Sequence, residues 1–78
     1  MEGKCRFIEE YANFQKNQFK KDIKHADMFG DENKEERIRF CKNAVETIEK
    51  AVRLARNGLI TVNECMAVIA NPGKYINL

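Results

Sequence analysis

Strong helix breakers are scarce in this chain, and where they fall decides most of what it can become. Its 78 residues include four glycines and one proline. Gly30 and Gly58 stand far apart and the Pro72-Gly73 pair comes near the end, while the stretches between carry apolar residues at helical steps. This punctuation predicts an all-α fold: an antiparallel hairpin of two long helices plus a short third helix, forming a small helical bundle. The expected helices cover about 4–28, 32–57 and 62–70 in a single domain, followed by an apolar tail over 74–78.

Ile8, Ala12, Phe19, Ile23 and Ala26 mark the inner face of helix one, and Gly30-Asp31 closes it. Helix two opens on Glu32, Glu35 and Glu36 and ends on Lys50, Arg53 and Arg56, so its charges oppose the helix dipole at both ends. Within it Ile38, Cys41, Val45, Ile48, Val52 and Ala55 alternate steps of three and four, with Leu59 continuing the series. Such a seam is expected to pack on helix one; a parallel coiled-coil dimer is the other use of the same pattern. Three acid-to-base pairs four apart, Glu35 with Arg39, Glu46 with Lys50 and Glu49 with Arg53, add about 0.2–0.5 kcal/mol each on an exposed face. Thr61-Val-Asn-Glu64 has capping-box spacing, in which the threonine hydroxyl takes an orphan backbone donor and the glutamate reaches back to the threonine amide. Helix three therefore starts there with Val62, Cys65, Met66 and Ile69, and Asn71-Pro72-Gly73 stops it.

The residue inventory excludes most chemistry. Serine is absent, and the two aliphatic hydroxyls belong to Thr47, in a helix stripe, and Thr61, assigned to the cap. His25 is the sole histidine and lies at the opposite end from Cys65, while Cys5 and Cys41 fall on expected core faces. Neither a cysteine–histidine pair nor a zinc site is expected from three scattered thiols and one imidazole. Residues 58–64 imitate the second half of an EF-hand loop, but Arg53 and Ala55 stand where calcium needs side-chain oxygens. No enzyme activity, metal, cofactor or small-molecule substrate is expected. Three cysteines at wide spacing suit reduced thiols, and no apolar run has signal-peptide or membrane-span length, so a cytoplasmic protein without a membrane partner is expected. A net charge of +2 supplies no large field for nucleic acid.

Helices one and two should each run to nearly 40 Å and helix three to about 14 Å, so helix three covers about a third of the hairpin. It is expected to lie over Phe7, Tyr11 and Phe14 in the first half of helix one. Met28, Phe29 and Phe40 would then form an apolar cluster at the hairpin tip, either left open or folded in locally. Below roughly 70–80 residues a single core seldom supplies more than 3–5 kcal/mol, so a homodimer, or stabilisation on a larger partner, is expected. These features point to a non-enzymatic helical protein–protein interaction module. Size and composition alone suggest an accessory protein or inhibitor of the phage or mobile-element type, blocking a host factor by direct binding. Met28, Phe29 and Phe40 are the expected anchors, with Lys20 and Lys24 as rim charges. The alternative is a small nucleic-acid-binding regulator using Arg6, Lys16, Lys20 and Lys24 on helix one. Against it, helix three offers no lysine or arginine to read base edges, and Glu64 would repel phosphate.

Overall fold

A computed structural model describes residues 2–30 and 32–76, with side chains described from residue 6 onward. The fold is the expected small helical bundle: α1 (Glu2–Phe29), α2 (Lys34–Arg56) and α3 (Val62–Ala70), closed by a single 3-10 turn over Pro72–Lys74. Among the described residues there is no strand.

Helices α1 and α2 form an antiparallel hairpin. Ion pairs track its length on one side, with Asp27 to Lys34 at the tip (3.4 Å), Lys16 to Glu49 in the middle (3.7 Å) and Glu9 to Arg56 at the open end. These are solvent-facing pairs worth about 0.2–1 kcal/mol each, so they record the alignment more than they create it. Burial creates it. Ile8, Ala12, Ile48, Ala51, Cys65, Val68 and Ile69 make one continuous core drawn from all three helices. The small residues matter here, because Ala12, Ala44 and Ala51 let the helix backbones approach closely at buried positions.

The buried line of α2 is Cys41, Ala44, Ile48 and Ala51. It therefore runs between the expected seam and a second stripe of the same helix, Phe40, Ala44, Thr47, Ala51 and Leu54: Ile38, Val45, Val52 and Ala55 are only half-buried, whereas Ala44 and Ala51 are sealed. The reason is that α2 is covered from two sides, by α1 and by α3 with its adjoining turn. Of this seam, Cys41 and Ile48 are sealed within the chain, and Val52 and Ala55 pack against the core.

Helix α2 ends in a Schellman arrangement. Leu59 N–H donates to the Leu54 carbonyl (2.9 Å) and Gly58 N–H to the Ala55 carbonyl (3.1 Å), with Gly58 at φ +74°. Reversal at Gly58 throws Leu59 outward to 70 % exposure, so Leu59 does not extend the seam as its spacing suggested. Thr61 then caps α3, its hydroxyl oxygen accepting from Glu64 N–H at 3.1 Å. The reciprocal half of the expected box differs: the Thr61 hydroxyl donates to Glu64 Oε1 (3.1 Å), so the carboxylate accepts from the hydroxyl and not from the Thr61 amide.

Helix α3 runs back along the hairpin, and Gln15 Nε2 of α1 donates to the Ile69 carbonyl near its end (3.1 Å). Asn71-Pro72-Gly73 breaks the helix, yet the chain continues in the same direction instead of leaving the surface. Pro72 is buried and Tyr75 packs against the core. The tail thus docks on its own domain through residue 76, with Leu78 outside the described residues. Cover over the hairpin accordingly reaches further than the one third expected from helix three alone, because the turn adds to it.

Candidate functional site

The expected tip cluster is divided by the fold. Phe40 is 47 % exposed and belongs to the middle of the molecule: its ring meets Phe19 edge-on, with centroids 6.4 Å apart. The Pro72–Lys74 turn seats on its other side, where a Cβ added at Gly73 would lie 3.2 Å from Phe40 Cζ. Phe19 is ten residues, or about 15 Å of helix, from Phe29, so Phe40 sits inward of Met28 and Phe29, with His25 bordering both the Phe40 recess and the Phe29 ring. Met28 and Phe29 remain open at 78 % and 70 % exposure, with Phe29 stacked near His25 (centroids 4.6 Å apart).

A second departure lies in the first half of α1. Phe7 and Phe14, expected beneath helix three, are instead 55 % and 60 % exposed. Helix α3 meets α1 on the side of Gln15, and only Tyr11 of the three aromatics packs against the core. Phe7 and Tyr11 keep a tilted ring contact at 6.4 Å. The outer face of α1 therefore carries Phe7, Phe14, Met28 and Phe29, four of the six large hydrophobics exposed among the described residues. A signal for it was present: residues 7, 14 and 28 differ by multiples of seven and so share one helix face, turned away from Ile8, Ala12 and Ala26.

Basic residues divide as well. Lys16 leans onto α2 to meet Glu49, and Arg6 pairs with Glu10 at 3.8 Å on the surface. Lys20 and Lys24 are exposed on the outer half of α1. The four-residue steps from Lys16 to Lys24 drift around the helix, so the fold leaves two lysines beside the apolar face and no straight four-member basic stripe.

Cys41 shares a recess of about 330 Å³ with Asp22, His25 and Arg37, a grouping missed at the level of sequence, where His25 is paired only with Cys65. Burial pushes the Cys41 thiol above its ordinary range, the Asp22 carboxylate pushes it further, and Arg37 offsets part of this. The environment thus favours the neutral thiol over the nucleophilic thiolate. Burial does the same to Cys65. Thr47 donates its hydroxyl to the Asn43 carbonyl at 2.8 Å, and Thr61 is engaged in its cap. Among the described residues no group of three metal-binding side chains occurs, and no helix is long and apolar enough to cross a membrane. A groove of about 580 Å³ runs between α2, α3 and the tail, floored by Ala51, Leu54, Ile60, Val68, Tyr75 and Ile76 and edged by Glu46, Lys50 and Glu64. Neither a protein-family model, nor a curated protein, nor a solved structure matches the chain.

Proposed function

We propose that this chain is a non-enzymatic interaction module that works by laying the outer face of α1 against another protein. One observation supports this most: the core is closed without Phe7, Phe14, Met28 and Phe29, yet all four lie exposed on the outer half of one helix. Scattered single hydrophobics are ordinary on a protein surface, whereas aromatic and methionine side chains gathered on one face resemble the anchors that dominate association energies. Lys20 and Lys24 border that face and suit the charged rim of such a surface. Phe40, 47 % exposed, stands apart from that face, between Phe19 and the Pro72–Lys74 turn. A chain that acts by covering a surface is suited to an accessory or inhibitory role, a suggestion that rests on size and composition.

A photo-crosslinking residue placed at Phe14 tests this reading, with the same residue at Arg39 on α2 as control. Protein adducts from position 14 and none from position 39 are expected in native extract. Adducts that vanish on nuclease treatment would instead favour the nucleic-acid reading, and equal labelling at both positions would remove the special status of the α1 face.

A further inference from the structure

The outer face of α1 has an order that goes beyond exposure. Phe7, Tyr11, Phe14, Gln18, Lys21 and His25 follow steps of four and three without a break, which is the spacing of a helix-packing seam; Tyr11 is its half-buried member, with one side resting on the core. Met28 is the next member. The seam is polarised along its length: its first half is aromatic, and its second half is an amide, an ammonium and an imidazole. The flanking positions one residue before Tyr11, Gln18 and His25 are Glu10, Asn17 and Lys24. They are polarised in the same sense, acid toward the N-terminus and base toward the C-terminus.

A surface with opposite character at its two ends is complementary to itself when reversed. We infer that the partner seated on the outer face of α1 is a second copy of this chain, packed antiparallel about a two-fold axis near residue 16. This rests on the reading that the face is an interaction surface, and names its occupant. In the register that alternates seam positions, Phe7 meets the partner's His25, Tyr11 meets the partner's Lys21, and Phe14 meets the partner's Gln18. Each aromatic ring then covers a polar or cationic side chain, and Tyr11 with Lys21 has the makings of a cation–π contact. On the flank, Glu10 faces the partner's Lys24 twice by symmetry, and Asn17 faces the partner's Asn17 near the axis. Isologous contacts of this kind are the commonest route to closed homodimers. The parallel alternative stacks Lys21 on the partner's Lys21, so like charges select against it.

Seam overlap from residue 7 to residue 25 is about 28 Å of helix, which places the interface at the small end of stable protein contacts. The dimer is therefore expected to depend on concentration. Sedimentation equilibrium of the purified full chain, from low micromolar to sub-millimolar, should show monomer passing to dimer. Glu10→Lys and Lys24→Glu should each weaken the dimer about tenfold, because two attractions become repulsions, and the Glu10→Lys/Lys24→Glu double variant should recover it. Circular dichroism on each variant reports whether the monomer still folds, and these exposed positions should leave it intact. A wild-type chain that stays monomeric throughout overturns the inference. So does a dimer indifferent to both single changes, or one that the double variant fails to restore. If the chain is monomeric while a crosslinker at Phe14 still captures a different protein, the second copy is the wrong occupant and the interaction reading stands. If nothing is captured, both fall.

Discussion

Helices α1 and α2 are built on the same plan and meet different fates. Each carries an inner line of small and branched apolar residues and a second apolar stripe beside it. In α2 most of the second stripe is covered: Ala44 and Ala51 are sealed, and Phe40, though 47 % exposed, has Phe19 and the Gly73 turn against its ring. In α1 the second stripe stays open, with Phe7 and Phe14 more than half exposed. The two helices differ less in local composition than in how the C-terminal third of the chain packs on them. Helix α3 and its turn run back along α2 and touch α1 on the Gln15 side, so one stripe gains a cover and the other does not. Periodicity marks a face as suited to packing, and the path of a later segment decides whether it is packed within the chain.

The largest test of this contrast is to cut into the shared core. Ile69→Ala removes a fully buried side chain where α3 closes on the hairpin and should cost about 2–5 kcal/mol, read as a drop in the urea midpoint. Next come the devices that aim α3. Gly58→Ala forces a Cβ into a backbone at φ +74° and should cost about 1–2 kcal/mol. Thr61→Ala deletes the cap on Glu64 N–H and should cost about 1 kcal/mol. Both should loosen the cover of α2 ahead of the α1–α2 pairing, so hydrogen exchange ought to rise first in α3. Gly73→Ala sharpens the comparison at one contact: the added methyl crowds the Phe40 ring, so the change should be more favourable by about 1 kcal/mol beside Phe40→Ala than in the wild-type background. If the two changes are additive, the turn does not hold Phe40 and the difference between the helices loses its cause.

Local features of this fold were legible because each has a short-range physical cause. Gly30, Gly58 and Pro72 end helices by their own backbone preferences, and Thr61 starts one through a bond to a residue three positions on. Illegible features depended on direction in space. Phe40 sits in a helical stripe and stays 47 % exposed, but nothing local says that the chain beyond Pro72 turns along α2 and meets its ring. Phe7 and Phe14 looked covered, because helix three was placed at the correct end of α1 while its azimuth around α1 remained open. That azimuth is set by packing: Cys65, Val68 and Ile69 sit in the cleft where α1 and α2 are both apolar, which carries α3 toward Gln15 and away from Phe14. Leu59 was misread for a related reason, since three-and-four spacing has no meaning across a residue of positive φ.

A smaller effect comes from the buried thiols that both helix contacts use. Cys41 and Cys65 each have a pKa raised above 9.0 in the folded chain, so the unfolded chain loses those protons first as pH climbs. Folding then favours the protonated form: the contribution is fully present below about pH 9 and is lost as pH rises through the higher folded values. The melting temperature should decline on this account above about pH 9 and not below it, and Cys65→Ala should make that alkaline decline shallower while lowering the plateau.

The smallest expected change is the most pointed. Phe14→Gln exchanges an aromatic for a polar side chain of good helix propensity at a position 60 % exposed among the described residues. Measured at low micromolar concentration, where association is weak, it should shift stability by less than about 0.5 kcal/mol. A buried aromatic lost in this way would cost several times more. The same variant should lose association at higher concentration, because Phe14 stands at the middle of the exposed seam. A single substitution that is silent in the monomer and decisive in the assembly separates the two stripes by function. If Phe14→Gln instead destabilises the dilute chain as Ile69→Ala does, Phe14 is core, the outer face of α1 is already covered, and the asymmetry between the two helices disappears.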